Sequence, residues 1–472
     1  MLFNSFTFLA LFFPIVALGN AGLRQFCNAR YAQWWLLLAS LFFYAFATAS
    51  HILLLLGSIG FNWAIAKRIG THNETGPRRR WLWLGIIANI AFLSTFKYVN
   101  FFLGQFDALL GIHLAIPNWA FPLGISFFTL TQVMYLIDCY ERMTEPISLL
   151  DHASAVSFFP YVSSGPIIRS AEIASQFVRD LAREERWQLA CRGLHLFALG
   201  LAKKVVFADT FAHIADAGFG AVGNLSTIEA WSFSLAYTLQ IYYDFSGYSE
   251  MAVGTAWMLG FNIPQNFNSP YISKSISEFW QRWHMSLSNF ITNYLYTPIL
   301  RSMGRATLRT SAISIILAMG IAGLWHGPAW TFIVFGVLHG IALAVNQIWR
   351  KSKRKLPRGV AWVLTFAFVN VAFVFFRSPD LATAMQFVAA MIPRGNVFGT
   401  SILMSVIPFS PLTLVRPVAI GLVLAFFFKS AWERAMTLSI NVVSSLGTAL
   451  LLAISIFYLN SSVAKRFVYF AF

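Results

Sequence analysis

The segment from Ala312 to Ile348 reads AISIILAMGIAGLWHGPAWTFIVFGVLHGIALAVNQI and contains no aspartate, glutamate, lysine or arginine. Its apolar runs near Ala312–Leu324 and Trp330–Ile348 predict two membrane-spanning helices, since about 20 apolar residues cross the ~30 Å hydrocarbon core of a bilayer. Gly327 and Pro328 predict a break between them. The segment also carries His326, and an ionisable side chain inside a membrane is costly to keep and points to a functional site.

The composition of the whole chain agrees with a membrane protein. Of its 472 residues, 58% are hydrophobic and only 11% are charged, so the chain cannot cover itself with polar surface as a water-soluble protein does. Its apolar runs lack the alternation of barrel strands, and helices are the other way to satisfy a backbone in lipid. The sequence therefore predicts an all-α, polytopic fold of roughly ten to thirteen helices. No repeat and no hydrophilic second domain is visible, which predicts a single domain over residues 1–472.

The distribution of basic residues predicts the topology. The chain has 34 lysines and arginines against 18 aspartates and glutamates, and the basic residues fall mainly between apolar runs. This pattern is typical of cytoplasmic loops and not of nucleic-acid binding. The loops 67–80 and 350–358 are therefore predicted to face the cytoplasm, with the N-terminus outside, in a multi-pass protein of the cell inner membrane.

Some apolar pieces are too broken to cross the bilayer. Gly104, Gly111 and Pro117 interrupt one stretch, which predicts interfacial or re-entrant pieces. Proline and glycine also interrupt Ser157–Arg169. Because unpaired backbone in hydrocarbon is costly, this second segment is predicted to be buried in protein and to line a substrate cavity. The charged stretch Arg179–Arg192 is either an amphipathic cytoplasmic helix or an ordinary solvated one.

The stretch Ser275-Ile-Ser-Glu-Phe-Trp-Gln-Arg-Trp-His284 predicts the start of a helix. Ser275 and Glu278 match the capping-box pattern, and Glu278 and Arg282 are spaced to form an i,i+4 ion pair. Trp280 and His284 would then share one face of this helix. His284 is either part of a reaction centre or an interfacial residue that snorkels beside the tryptophans.

The apolar segment contains two histidines, His326 and His339. A helix beginning near Pro328 would place His326 at its positive end, which favours the neutral imidazole that accepts a proton. The alternative is a core histidine bonded to a carbonyl group. On a continuous helix His339 would lie about 19 Å from His326 and on a nearly opposite face, which predicts packing or a supporting role.

Polar residues follow the predicted span Trp231–Tyr243. Asp244 and Glu250 lie so close to apolar sequence that each needs a partner or water. No acidic residue occurs between Glu278 and Asp380. A carboxylate that orients a central imidazole therefore has to come from earlier in the chain, and Asp244, Glu250 and Glu278 are the nearest in sequence.

Several enzyme classes leave no trace in the sequence. It contains no Gly-x-Ser-x-Gly elbow, no Walker phosphate loop and no His-Glu-x-x-His, which argues against soluble-type hydrolases, ATPases and zinc enzymes. Cys27, Cys139 and Cys191 are far apart and odd in number, which argues against a disulfide framework or a metal site. We therefore expect no metal and no tightly bound cofactor.

Seven motifs carry a family resemblance that covers nearly the whole chain. They are Pro122-Leu-Gly-Ile-Ser-Phe-Phe-Thr129, Phe159-Pro160 to Gly165-Pro166-Ile-Ile-Arg169, Gly200-Leu-Ala-Lys-Lys-Val-Val206, Tyr237-Thr-Leu-Gln-Ile-Tyr-Tyr-Asp-Phe-Ser-Gly-Tyr-Ser249, Asn266-Phe-Asn-Ser-Pro-Tyr271, Trp280–Ser288 and Gly323-Leu-Trp-His-Gly327. In this order they resemble the membrane-bound O-acyltransferase family, specifically its bacterial branch typified by alginate O-acetylation proteins.

This resemblance implies a helical core around a central funnel or tunnel, with His326 as the principal active-site histidine and His284 as the second. It implies transfer of an acyl group, such as acetyl, from a cytoplasmic donor (acetyl-CoA or an acyl carrier) to hydroxyl groups of an extracytoplasmic polysaccharide, as in alginate biosynthesis. An extracytoplasmic acetyltransferase or esterase-like partner would assist. The residues expected to bind substrate or support the histidines are Asp244, Ser246, Tyr248, Trp280, Arg282, Trp283, Trp325 and His339.

One departure and two alternatives accompany this interpretation. After Tyr294-Leu-Tyr-Thr-Pro298 the alginate branch continues with a Gly-Gly-Asn-Arg-like turn, whereas this chain has Ile299-Leu-Arg-Ser-Met-Gly304, which bears on the substrate or the partner surface. A transporter or flippase for a polysaccharide precursor would use broken helices and ionisable residues to line a path, but no paired halves are visible. A purely structural scaffold leaves the central histidines unexplained.

Overall fold

The computed structural model describes residues 1–111, 119–352, 354–393, 395, 397–406, 411–461 and 467. Every regular element within these ranges is helical, which confirms the predicted all-α class. Pro117 and position 353 of the predicted basic loop lie outside the described residues. The α-helices are α1 Phe13–Phe26, α2 Ala29–Ala45, α3 His51–Thr71, α4 Thr75–Lys97, α5 Val99–Leu110, α6 Ile125–Tyr140, α7 Leu149–Ser157, α8 Ser170–Phe177, α9 Arg183–Ala202, α10 Asp209–Gly220, α11 Thr227–Met258, α12 Ile276–Arg282, α13 Met285–Phe290, α14 Thr297–Ser302, α15 Leu308–His326, α16 Trp330–Lys351, α17 Arg358–Arg377, α18 Leu381–Ala390, α19 Ser401–Val406, α20 Pro411–Phe427, α21 Ala431–Met436 and α22 Val442–Ser461.

The described residues contain six helices that are long and apolar enough to cross a bilayer, which confirms a multi-pass membrane protein. They are Thr7–Phe26, His51–Thr71, Leu308–His326, Trp330–Lys351, Arg358–Arg377 and Val442–Asn460. The pair α4 and α5, bent by 66°, makes seven if it is counted as one span, and it lies where the sequence predicts a broken or re-entrant piece. The predicted total of roughly ten to thirteen helices was counted at about 20 residues per span and stays a prediction.

The chain divides into two compact units, and the first comprises Met1–Phe197, Ser249–Pro264 and Leu438–Thr448. In this unit α3, α4 and α6 pack on one another around a core that includes Ile69 and Leu136. The single domain predicted over residues 1–472 stays a prediction.

The broken segment that follows α7 belongs to the first unit. Residues 157–168 are all buried, which confirms the predicted burial in protein. Gly124 makes room for this segment: it has a φ of +68°, and an added Cβ would lie 2.1 Å from the carbonyl oxygen of Val162, so only glycine fits there. The predicted contact of this segment with a substrate cavity stays a prediction.

The second unit comprises Ala198–Tyr248, Gln265–Thr437 and Ala449–Phe472. Its centre is an antiparallel hairpin of α15 and α16, against which α17 and α12 pack. This hairpin is the stretch whose apolar sequence predicts two spans with a break between them, and both predictions are confirmed.

One predicted break is wrong. The apolar run Trp231–Tyr243 predicts a span that ends before Asp244, but α11 continues past this point as one helix of 32 residues, Thr227–Met258. No proline interrupts this stretch, and its single internal Gly-Tyr-Ser sequence does not end a helix that packing stabilises. At 1.5 Å per residue α11 is about 48 Å long, and it carries Asp244, Ser246 and Tyr248 within its length.

Candidate active site

His326 is the last residue of α15 and thus lies at the carboxyl end of that helix. Gly327 follows in an extended conformation, with a φ of −166°, and α16 begins only at Trp330. The expectation that His326 sits at the positive end of a helix starting near Pro328 is therefore wrong. The reason is local, because proline disfavours helical backbone in the residue before it.

Two glycines bring the backbones of α15 and α16 together. An added Cβ at Gly323 would lie 2.3 Å from the carbonyl oxygen of Phe332, and one at Gly336 would lie 2.2 Å from the carbonyl oxygen of Met319. A larger residue at either position would push the helices apart. The close approach therefore fixes the hairpin that carries His326.

Aromatic rings enclose His326, which is only 6% exposed. The centroid of its imidazole lies 5.0 Å from that of Trp325, 5.3 Å from that of Phe376 and 6.3 Å from that of Phe335. Such an enclosure keeps bulk water away from the imidazole and strengthens its electrostatic interactions with a bound substrate. Trp325 thus lies beside the imidazole, as its place in the sequence suggests.

His284 lies at a break between two short helices. Helix α12 ends at Arg282, α13 begins at Met285, and His284 between them has φ +44° and ψ +53°. The expected continuous helix with Trp280 and His284 on one face is therefore wrong. A non-glycine residue adopts this left-handed conformation only where its surroundings enforce it, and such strain is concentrated at functional sites.

The start of α12 agrees with the sequence pattern. The hydroxyl oxygen of Ser275 accepts a hydrogen bond from the N–H of Glu278 at 3.1 Å, and the Nε of Arg282 donates to Glu278 Oε1 at 3.1 Å. Both the predicted N-cap and the predicted i,i+4 ion pair are confirmed. The second bond of the predicted capping box differs, because Glu278 Oε2 accepts from the N–H of Lys274, at 2.9 Å, and not from that of Ser275.

Backbone hydrogen bonds from a distant segment hold the turn at His284. The N–H of Met285 donates to the carbonyl of Asn266 at 2.9 Å, and the N–H of Asn268 donates to the carbonyl of Arg282 at 2.9 Å. The guanidinium of Arg282 also donates to the carbonyl of Asn268, at 3.2 Å. The turn is thus fixed from both sides, which explains how the left-handed residue persists.

The side chain of Asn266 contacts His284 directly. Its Oδ1 lies 3.3 Å from His284 Nδ1, and it accepts hydrogen bonds from the N–H of Ser286 at 3.1 Å and from the Ser286 hydroxyl at 2.7 Å. Sequence reasoning included Asn266 in a family motif but not in the site. Eighteen residues separate it from His284, and no local pattern links the two positions.

His284 is fully buried and lies outside the candidate spans. Its ring packs edge-on against Phe245, with 4.6 Å between centroids. Burial lowers the pKa of the His284 imidazole to about 3. His284 is therefore neutral at physiological pH.

A continuous aromatic cluster links the surroundings of the two histidines. The ring of Phe373 lies 5.3 Å from that of Trp283 and 5.9 Å from that of Phe335. Trp283 precedes His284 in the chain, and Phe335 contacts His326. The structure thus brings His284, Trp283 and His326 into one buried region of the second unit.

His339 lies on α16, beyond the break that follows His326, so the separation calculated for a continuous helix does not apply. Both imidazoles contact Phe335, which is 4.6 Å from His339. The indole N–H of Trp280 donates to Nδ1 of His339 at 3.2 Å. His339 thus anchors Trp280, in keeping with the supporting role predicted for both.

Asp244 forms a buried ion pair with Lys204. The Nζ of Lys204 lies 2.7 Å from Asp244 Oδ1 and 2.9 Å from Asp209 Oδ1, and all three side chains are at most 5% exposed. Lys204 is part of a π-helical segment, Lys203–Ala208, and such segments are frequent at functional sites. The partner that Asp244 was predicted to need is therefore a lysine, whereas the group beside His284 is an amide.

Ser246 and Tyr248 follow Asp244 on α11. The Nζ of Lys203 donates to the Ser246 hydroxyl at 3.4 Å, and the ring of Tyr248 stacks on that of Phe467 at 4.4 Å. These contacts place both residues among charged and aromatic groups of the second unit. Their predicted contact with substrate stays a prediction.

A cavity of about 290 Å³ lies beside Trp280. It is lined by residues of α12, α13, α15 and α16, among them Gln281, Met285 and Met319. Its polar groups are neutral amides and hydroxyls, and the sulfur and aromatic side chains make the rest apolar. Within the described residues, no three His, Cys, Asp or Glu side chains are grouped as metal ligands.

Comparisons with known proteins show which family the chain belongs to. The model of the membrane-bound O-acyltransferase (MBOAT) family matches residues 29–378, which include both central histidines. The chain belongs to this family. It is 36% identical to the "Peptidoglycan O-acetyltransferase" of Helicobacter pylori, over 100% of this chain and 98% of that protein. It is 38% identical to the "Probable alginate O-acetylase AlgI" of Azotobacter vinelandii, over 84% of this chain and 79% of that protein.

A more distant relative is named for the transfer of a different acyl group. The chain is 29% identical to the "Teichoic acid D-alanyltransferase" of Bacillus subtilis, over 54% of this chain and 68% of that protein. The MBOAT chain described here is a membrane O-acyltransferase. Its family membership confirms the resemblance seen in the motifs and favours an enzyme over a transporter or a scaffold.

Proposed function

We propose that this membrane O-acyltransferase acetylates hydroxyl groups of a cell-envelope polysaccharide, with His326 and His284 as its catalytic histidines. The observation that carries the proposal is the match to the peptidoglycan O-acetyltransferase along nearly the full length of both proteins. Peptidoglycan is therefore the first acceptor to test. An alginate-like polymer is the second, because relatives named for alginate are equally identical over most of the chain.

The proposed reaction is transfer of acetyl from a thioester to a hydroxyl group. His326 takes the proton of the attacking hydroxyl as its oxygen bonds to the acetyl carbon, the carbon–sulfur bond breaks, and the proton passes to the leaving sulfur. The enclosure of His326 by Trp325, Phe335 and Phe376 supports this role, since acyl transfer requires a pocket from which water is excluded. Acetyl-CoA or an acyl carrier would be the donor and a co-substrate, not a bound cofactor.

The proposed path runs from the cytoplasm to the outside of the inner membrane. The basic segment 67–80, which includes the end of α3 and the start of α4, would face the cytoplasm together with the segment 350–358. The N-terminus would lie outside, because basic segments next to spans are retained on the cytoplasmic side. In the α15–α16 hairpin, the loop before α15, with Arg305, lies at the same end as the segment 350–358. His326 lies at the opposite end of α15, nearer the acceptor side.

Two routes for the acetyl group follow from this arrangement. It passes either directly to the polymer or to an extracytoplasmic acetyltransferase or esterase-like partner that completes the transfer. The purified enzyme in liposomes, given acetyl-labelled acetyl-CoA together with peptidoglycan or alginate, tests both. Release of thiol with label on one polymer supports direct transfer, whereas label that reaches the polymer only after a partner is added supports the relay. Movement of polymer without thiol release would support a transporter and refute the proposal.

A further inference from the structure

An arginine–carboxylate pair lies at the end of the second unit that carries His326. Only a short connection joins α16 to α17, so the two packed helices run antiparallel and the end of α17 lies beside the start of α16. The ring of Phe376, near the end of α17, accordingly lies 5.0 Å from that of Phe332 and 5.3 Å from the imidazole of His326. Arg377 follows Phe376 directly and is the last residue of α17.

Two groups hold the guanidinium of Arg377 in place. Its Nη2 donates to Asp216 Oδ1 on α10 at 2.9 Å. Its central carbon lies 5.5 Å from the centre of the Phe219 ring, which is within the range of a cation–π contact. Phe219 in turn stacks on Phe387 of α18, with 4.4 Å between the ring centroids. The guanidinium is therefore held by a carboxylate and by a packed aromatic ring.

This arginine–aspartate pair is accessible, in contrast to the site next to it. The side chains of Arg377 and Asp216 are 34% and 44% exposed, whereas Phe376 is buried. A guanidinium has five N–H donors, and within the residues that the structure describes Arg377 donates a hydrogen bond to Asp216 alone. A carboxylate offers about four lone-pair sites on its two oxygens. The pair thus presents hydrogen-bond donors and acceptors side by side at the surface.

This arrangement matches an uncharged, hydroxylated ligand. A hydroxyl group both donates and accepts hydrogen bonds, so neighbouring hydroxyls of one sugar unit can accept from Arg377 and donate to Asp216. A carboxylate ligand suits the pair less well. It would bind Arg377 at a short distance from Asp216, and two negative charges so close to each other repel.

We propose that Arg377 and Asp216 form a subsite that binds the hydroxyl groups of an uncharged sugar unit of the acceptor polysaccharide. This inference rests on the proposed acyl transfer, because it takes a polysaccharide as the acceptor. A polymer held at this subsite by one sugar unit presents another unit toward His326. The pair would thus position the acceptor and favour neutral sugars over uronates, without touching the bond that breaks.

Two conservative variants of the full-length protein test the subsite. Arg377→Lys keeps the positive charge beside Asp216 but loses the planar fork of donors, and Asp216→Asn keeps the size of the side chain but loses its charge. The probe is a neutral oligomer of N-acetylglucosamine, whose binding is titrated without acetyl-CoA. Because hydrogen bonds to charged groups are the stronger ones, we expect each variant to bind this oligomer roughly tenfold more weakly than wild type.

A second ion pair provides the matched control. Arg179 and Glu185 of the first unit lie 3.0 Å apart and are 57% and 54% exposed, so Arg179→Lys and Glu185→Gln make equivalent changes elsewhere. They should leave binding of the oligomer at the wild-type value. If the pair of Arg377 and Asp216 only ties α10 to α17, Arg377→Lys should also bind as wild type does, since lysine retains the ion pair. That result in a folded variant would overturn the proposal, and Asp216→Asn decides in the same way if Arg377→Lys does not fold.

Two further outcomes would also overturn the subsite. One is that wild type does not bind the neutral oligomer, and the other is that it binds an oligouronate more tightly. Failure of the proposed function is distinguishable from these results. Weaker binding in both variants, in a protein that releases no thiol from acetyl-CoA, would refute acyl transfer and leave the sugar subsite standing. Acyl transfer with wild-type oligomer binding in both variants would refute the subsite alone.

Discussion

Replacement of Gly336 by alanine should disable the site without touching a histidine. The added Cβ would lie 2.2 Å from the carbonyl oxygen of Met319 and 2.9 Å from the Cα of Gly323. Side-chain Cβ atoms essentially never come closer than 3.0 Å to such atoms, so the two backbones must separate by at least 0.8 Å, the difference between the two distances. Neither obstacle is a flexible side chain, and overpacking of this kind costs about 1–3 kcal/mol.

This displacement also acts on catalysis, because the moving helix carries Phe335, which contacts His326. A misplacement of about 1 Å can cost on the order of 10²-fold in rate. We therefore expect Gly336→Ala to lower both the thermal stability in detergent and the acyl-transfer rate per folded molecule.

Gly320→Ala is the matched control in the same hairpin. Its nearest obstacle is a methyl group of Val337 at 3.5 Å, an ordinary van der Waals contact, and alanine favours a helix over glycine by about 1 kcal/mol. This variant should be as stable as wild type or more stable, and fully active. If both substitutions lowered the thermal stability and the acyl-transfer rate equally, the close approach of α15 and α16 would not explain the effect. The same holds if Gly336→Ala kept wild-type stability and rate.

Three further predictions concern His326, the buried ion pair and the topology. His326→Gln should keep wild-type stability while the rate falls by about 10²–10⁴, as expected for loss of a general base; a residual rate above roughly a tenth of wild type would assign His326 a structural role. Lys204→Met should lower the free energy of unfolding by about 3–5 kcal/mol, because it leaves buried carboxylates without their cation. Asp209→Asn keeps the lysine paired, so it should lower the free energy of unfolding by clearly less in the same denaturation assay. Cysteines introduced in loops 67–80 and 350–358 should react with a membrane-impermeant thiol reagent only after permeabilisation, and labelling in intact cells would reverse the proposed orientation.

The sequence predicts those features of this protein that depend on neighbours along the chain. Apolar runs identify α15 and α16, because crossing lipid requires consecutive apolar residues. Ser275 and Glu278 identify the start of α12, because a capping contact spans only three residues. The end of α12 could not be predicted in this way. No residue near Arg282 forbids another turn, and the helix stops where a distant segment supplies hydrogen bonds to the turn at His284.

The aromatic residues that surround the site could not be predicted from the sequence either. Phe376 and Phe373 lie on α17, some fifty residues beyond His326, and as single phenylalanines in an apolar helix they cannot be told from residues that face lipid. Only the packing of α17 on α16 selects them. The contact between His284 and Asn266 is non-local in the same way.

The choice of an amide at position 266 has a physical explanation that sequence motifs do not supply. A carboxylate there would hold His284 more firmly, but it would add a charge to a site where His284 is fully buried, and transfer of an unpaired charge into such surroundings costs several kcal/mol. Protonation of the imidazole would neutralise this charge, and His284 would then be a hydrogen-bond donor at both ring nitrogens. An amide oxygen orients the ring without either effect. The lack of acidic residues between Glu278 and Asp380 is thus consistent with surroundings that keep His284 neutral, and Asp244 on α11 has Lys204 as its partner.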